Sequence, residues 1–298
     1  MRTTSEAPVA EPQPVERAAN PAARGSDALA GAEAASPTSG AAVQIKGLAH
    51  AFGPLRVIER LELSVGSGEV LGVVGPSGCG KSTLLELISG LRAPQTGAIE
   101  VGGAGSATER LARCTYMPQR DLLLPWLAAI DNAAMALRNR GASRLEARRL
   151  AHPLFERFGL AGFERSRPAE LSGGMRQRIA FLRTLLAGKP VLLLDEPFAS
   201  LDAITRAEMQ EWLAEALAAE SRTVVLVTHD VEEALYLSDR VTVLSARPAS
   251  AVAELAAPQH RALPRLGAVT SEDFTSARER ALEALSGAAV SARIRNAD

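Results

Sequence analysis

Beyond residue 42, apolar residues fall into short runs broken by glycine, proline and charged clusters. Residues 43–49, 57–65 and 69–74 read as strands, with Gly66 and Gly68 as turn punctuation. Apolar positions then recur at helical spacing over 81–91, and 98–101 and 114–117 are further strand candidates. A mostly helical block follows at 131–138, 144–158 and 173–186. The chain then alternates again: strand 191–194, helix 204–219, strand 223–227, helix 231–237, strand 241–244. Such alternation predicts an α/β fold, a mostly parallel sheet with helices on both faces. The helical block at about 120–185 reads as an inserted subdomain.

The two ends break this pattern. Residues 1–42 are rich in Ala, Pro, Ser and Glu and lack periodic apolar positions, so they read as a disordered tail or a segment that folds on a partner. Residues 246–298 form a less regular extension with one expected helix, 271–285. The α/β domain proper spans 43–245.

Composition narrows the class. Of 298 residues, 47% are hydrophobic and 22% charged, which suits a globular chain with a sizeable core. The net charge of −1 gives no reason to expect a nucleic-acid partner. Cys79 and Cys114 form neither a metal-ligand pair nor a disulfide framework, which fits a reducing compartment. No stretch has the roughly 18 consecutive apolar residues of a membrane-crossing helix, and the N-terminus lacks a hydrophobic signal region. A cytoplasmic protein, attached to any membrane only through a partner, is the expectation.

Chemistry enters at Gly75-Pro76-Ser77-Gly78-Cys79-Gly80-Lys81-Ser82-Thr83, a complete GxxxxGK[ST] phosphate loop between a strand and a helix. Its glycines let the backbone wrap phosphate oxygens, and its N–H groups point inward at a helix N-terminus, where the dipole favours anions. Lys81 would neutralise the β- and γ-phosphates and Ser82 would ligate Mg²⁺. Cys79 sits in the loop but is assigned no chemistry. A second apolar strand ends in Asp195-Glu196-Pro197. There Asp195 would hold Mg²⁺, and Glu196 would polarise the water attacking the γ-phosphate.

Leu171-Ser172-Gly173-Gly174-Met175-Arg176-Gln177-Arg178 supplies a second serine-glycine helix tip, which one nucleotide in one subunit does not need. The segment resembles the signature motif of ATP-binding cassette proteins. That resemblance covers about residues 43–244 and implies an ATPase with a phosphate-loop core, an N-terminal antiparallel β subdomain and an inserted helical subdomain. It implies that Ser172, Gly173, Gly174 and Gln177 meet ATP bound by a second copy of the chain in a head-to-tail dimer. It also implies that Phe52 stacks on adenine, that Gln119 senses Mg²⁺, and that His229 contacts the γ-phosphate. The segment Ala199-Ser200-Leu201-Asp202 looks like the loop that touches the partner subunit. His50, His152 and His260 have no such context and read as packing or surface residues.

The run from Gln119 to Trp126, followed by Asp131-Asn132, is similar to the corresponding region of importers for nitrate, sulfonate, taurine or thiamine-precursor pyrimidines. In such importers this surface receives a transmembrane permease, which serves a periplasmic or lipid-anchored solute-binding protein. The implied place is the cytoplasmic face of a bacterial membrane. Leu122, Leu123, Leu124 and Trp126 read equally as a docking patch or as core. The competing readings are a soluble repair or translation ATPase and a metabolic kinase. About ninety residues between Gly80 and Ser172 leave no room for a long coiled-coil arm. A kinase would not explain the signature or His229.

Overall fold

A computed structural model describes residues 41–219, 222–258 and 264–295. The expected tail lies outside these residues except for Ala41 and Ala42, which open the first strand.

Two sheets organise the chain. The first is antiparallel, with β2 (Leu55–Gly66), β1 (Ala41–Phe52) and β4 (Thr96–Val101) in that order. The second has six strands in the order β5 (Cys114–Met117), β6 (Val191–Asp195), β7 (Thr223–Thr228), β3 (Val70–Val74), β8 (Arg240–Leu244), β9 (Ala251–Ala256). Its first five strands pair in parallel, and β9 closes one edge antiparallel to β8.

The central strands are buried at every position and mostly apolar, because both faces are covered. Their side chains alternate between two cores. Leu192 and Leu194 of β6 and Val224 and Leu226 of β7 enter the core shared with the helical block. Val191, Leu193, Val225 and Val227 enter the core shared with the antiparallel sheet and helix α1 (Lys81–Ser89). Each buried aliphatic side chain stabilises the fold by roughly 1.5–3 kcal/mol, so these strands anchor the positions at their carboxyl ends. Helix α1 stops at Gly90, whose φ of 87° a side chain would strain and whose Cβ would lie 2.4 Å from Ala107 O.

Helix α2 (Ala107–Arg113) was not expected from periodicity; Ser106 and Glu109 close a capping box at its start. The expected helix at 131–138 is two short ones, α3 (Ala129–Ala133) and α4 (Met135–Asn139), which meet at Ala134. The block continues through α5 (Arg144–Arg157) to α6 (Gly173–Leu185). Helices α7 (Ala203–Ala219) and α8 (Val231–Leu237) follow β6 and β7.

The extension holds more than the single helix expected. Besides β9 it forms α9 (Arg265–Val269) and α10 (Glu272–Arg295). Phe274, Ala277 and Ala281 of α10 join the core beside α8, which makes the extension part of the fold.

Candidate functional site

The chain leaves β3 at Val74, turns through the glycine-rich loop and enters α1 at Lys81. Gly80 adopts φ 123°, and a Cβ there would lie 2.7 Å from Val57 Cγ1, so glycine is required. Lys81 is 6% exposed, and its Nζ donates to Gly75 O at 2.8 Å and Pro76 O at 3.2 Å. The ammonium is thereby held within the curl of the loop. Ser77, Gly78, Ser82 and Thr83 line a cleft of about 430 Å³ together with Phe52, Val57, Gln119 and Glu196. Cys79 turns the other way into the second core, and burial pushes its thiol pKa up, so the thiol stays neutral and inert.

Phe52 stands at the rim, 41% exposed. Arg92 lies over the ring at 4.7 Å, and the buried His50 meets it edge-on at 5.1 Å. Arg92 thereby makes a cation–π contact with the ring at the mouth of the cleft. His152 is exposed, 4.0 Å from Glu164, and His260 lies outside the described residues.

The carboxylates at the end of β6 occupy different environments. Asp195 is 2% exposed. Burial pushes its pKa up, while hydroxyl hydrogen bonds from Ser82 and Tyr116 pull it down. Tyr116 Oη donates to Asp195 Oδ2 at 3.2 Å. Sequence reasoning had passed over Tyr116, whose only signal was its place in β5 beside β6. Glu196 has φ 49°, a strained value for this residue, and its N–H donates to Val227 O at 2.8 Å.

Three neighbouring strands, β5, β6 and β7, bring Gln119, Glu196 and His229 together at their carboxyl ends. Gln119 Nε2 donates to Glu196 Oε2 at 3.3 Å, and His229 Nδ1 lies 3.1 Å from the same oxygen. A carboxylate aimed by two neighbours can orient and deprotonate a water in this cleft.

The donor set also suits Mg²⁺. The described residues contain no cluster of three or more His, Cys, Asp or Glu side chains fit for a metal. What they offer is hard oxygen, with the Ser82 hydroxyl bonded to the Asp195 carboxylate beside a phosphate loop. One or two protein oxygens, completed by phosphate and water, is the usual way Mg²⁺ is held.

The serine-glycine tip stands apart. Ser172 caps α6 by accepting from Met175 N at 3.2 Å, and Ser172 and Gly173 are exposed. None of Ser172, Gly173 and Gly174 lines the cleft of their own chain. Gly174 packs on the loop after Glu196, where an added Cβ would lie 3.3 Å from Leu201 Cδ2. Gln177 departs from expectation. It is 3% exposed, and its Nε2 donates to Pro197 O at 3.3 Å, so it ties α6 to the Glu196 segment rather than facing a ligand.

The segment after Gln119 divides residue by residue between its two readings. Leu123 is buried in the core, whereas Leu122 and Trp126 are 59% and 67% exposed. Arg176 Nε donates to Asp121 Oδ2 at 3.0 Å, and Arg183 donates to the carbonyls of Asp121 and Leu122 at 2.6 and 2.9 Å. Asp121 and the exposed Leu122 are thus fastened to the helix that carries the serine-glycine tip. One further residue, Arg247, enters the cleft from outside every motif.

The family model described as ABC transporter matches residues 58–199. A formylaminopyrimidine import ATP-binding protein, ThiZ of Halalkalibacterium halodurans, is 46% identical over 68% of this chain and 78% of its own. The aliphatic sulfonates import ATP-binding protein SsuB 1 of Rhodococcus jostii is 44% identical over 77% of this chain and 91% of its own. A taurine import ATP-binding protein, TauB of Burkholderia pseudomallei, is 44% identical over 67% and 77%. Among solved structures, a dimeric ATP-binding cassette in a post-hydrolysis state bound to ADP and Pi aligns with a TM-score of 0.66 and 27% identity, over 73% of this chain and 100% of that one. With relatives this similar over most of their own length, and with phosphate loop, paired acids and serine-glycine tip in one fold, the chain belongs to the ATP-binding cassette transporter family.

Proposed function

We propose that this chain is the ATP-hydrolysing subunit of a bacterial importer for a small solute, working as a head-to-tail pair on the cytoplasmic face of the membrane. The observation that carries the reading is the separation within one chain of the phosphate cleft from the Ser172–Gly174 tip. Two anion-binding helix ends in one protomer become useful together when a second copy supplies the tip that the first copy's cleft lacks. The alignment with a dimeric cassette supports that arrangement.

Placement supports the following roles. Lys81 and the loop N–H groups hold the phosphate chain, and Phe52 holds the base. Ser82 and Asp195 would hold Mg²⁺, with Gln119 beside them; when bound, the ion neutralises charge on the phosphates. Glu196, aimed by Gln119 and His229, takes the proton of the attacking water. Ser172 and Gly174 of the partner stabilise the closed pair only while the triphosphate lies between them, so hydrolysis opens it.

Leu122 and Trp126 form the permease-docking patch, and Arg176 and Arg183 link that patch to the signature helix. The permease in turn would serve a solute-binding protein. The relatives' names support a substrate in the sulfonate, taurine or pyrimidine-precursor group, and nitrate stays within the same reading. Residues 43–245 are the ATPase domain, and the extension braces it through α10. Purified chain should release phosphate from ATP, and tagged chain should co-purify with a membrane permease. ATP turnover without any membrane partner in cells would favour a non-transport role.

A further inference from the structure

The turn between β8 and β9 carries no recognised motif, yet it delivers Arg247 to the nucleotide cleft. The Nη2 atom of Arg247 lies 3.5 Å from where a Cβ on Gly78 would sit, so the guanidinium rests against the tip of the phosphate loop. Gly78 itself has φ 73° and brings no side chain to that face.

The backbone around Arg247 is fixed on both sides. Ser245 N donates to Ser250 O at 2.9 Å, and Ser245 Oγ donates to Pro248 O at 3.1 Å and accepts from Ser250 N at 3.0 Å. Ala249 is fully buried. Its N–H donates to Val57 O at 2.8 Å, and its carbonyl accepts from Glu59 N at 3.0 Å. Val57 lines the same cleft, so the turn is locked to the wall of the site. The head of Arg247 is exposed, and among the described residues no carboxylate forms an ion pair with it. A cation with a fixed base, no internal counter-charge and a position against an anion cradle is arranged to receive an anion.

We propose that Arg247 is a nucleotide-binding residue that grips the phosphate chain from the rim of the cleft while Lys81 holds it from the floor. The loop tip cradles the phosphates common to ATP and ADP, so Arg247 serves both nucleotides. This rests on the reading of the cleft as an ATP site. Lys81 supplies a point charge deep in the loop, and Arg247 supplies a planar fork that can take two oxygens at once.

The test is a titration of ATP and of ADP into the full chain, by calorimetry, for the unaltered protein, Arg247→Met and Arg247→Lys. Arg247→Met, which keeps the apolar stem, should weaken both nucleotides by about tenfold or more, the usual scale for one lost charge-assisted hydrogen bond. Arg247→Lys should recover part of that loss, and the thermal midpoint without nucleotide should not move. Unchanged affinity in Arg247→Met overturns the proposal. So does a loss matched by destabilisation of the nucleotide-free protein, which would make Arg247 a packing residue. A loss for ATP alone overturns its placement on the shared phosphates. Unaltered protein that binds neither nucleotide refutes the ATP site itself, a failure distinct from that of Arg247.

Discussion

His229 Nδ1 lies 3.1 Å from Glu196 Oε2, the oxygen that also accepts from Gln119 Nε2 at 3.3 Å. One carboxylate oxygen is therefore held by residues from both flanking strands, on a backbone with φ 49°. Strain of this kind costs about 1–3 kcal/mol and persists where the surroundings enforce it. Here the enforcement comes from the Glu196 N–H bond to Val227 O.

Glu196→Gln keeps the shape of this hub and removes the carboxylate proposed as the base. ATP affinity should stay within a few-fold of the unaltered protein, while kcat for phosphate release falls by about 10²–10⁴. Turnover close to that of the unaltered protein would remove Glu196 from the role of base.

Glu233, one turn beyond His229, is 3% exposed, and burial and then the charge of Asp230 push its pKa up to about 7. Gln210 and Thr228 hydrogen-bond it, and Arg206 adds an opposing charge. The folded state holds this proton up to a higher pH than the unfolded state does. Stability is therefore full below the ordinary glutamate value and is lost as pH rises toward about 7. Glu233→Gln should flatten that slope and raise the thermal midpoint at about pH 8. An unchanged slope between about pH 5 and pH 8 would mean that another group sets it.

Asp131 is 2% exposed and accepts from both Arg144 and Arg148, the closest contact being 2.6 Å. The two guanidiniums hold its carboxyl well below the usual range, so its contribution is present above that range and lost on acidification. Asp131→Ala should loosen α5 against α3, at a cost of about 1–3 kcal/mol. Faster amide exchange in α5 but not in β6 would register it; equal protection in both proteins would contradict it.

Trp126→Ala combined with Leu122→Ser alters two exposed side chains that do not line the cleft. ATP binding and thermal stability should hold, while co-purification with the permease drops several-fold. Retention of the permease would move the docking surface elsewhere.

The legible parts of the molecule were those whose signal is local. The phosphate loop, Asp195-Glu196 and His229 each follow an apolar strand directly, so pattern and chemistry coincide. The meeting of Gln119, Glu196 and His229 depends on the order β5-β6-β7, which pairs strands up to about eighty residues apart and leaves no local trace. Strand β9 is largely solvent-facing, with an exposure pattern that gives weak contrast, and it exists by pairing with β8. Gln177 lies on the motif's helix but faces inward, because a three-residue step along a helix from Gly174 selects packing as readily as exposure. Arg247 gave only an Arg-Pro pair after a strand, and its approach to Gly78 is set by the anchoring of Ala249 to β2.

The claim that two copies share each triphosphate is tested most directly by mixing two inactive variants. Lys81→Ala spoils the cradle and spares the tip, whereas Ser172→Arg spoils the tip and spares the cradle. Neither alone should form an ATP-dependent dimer in analytical ultracentrifugation or hydrolyse ATP. Mixed in equal amounts they should regain both, at a fraction of the unaltered rate, because one of the two sites in a mixed pair is intact. A mixture as inert as its parts, or a Ser172→Arg protein that pairs and turns over normally by itself, would contradict the shared site.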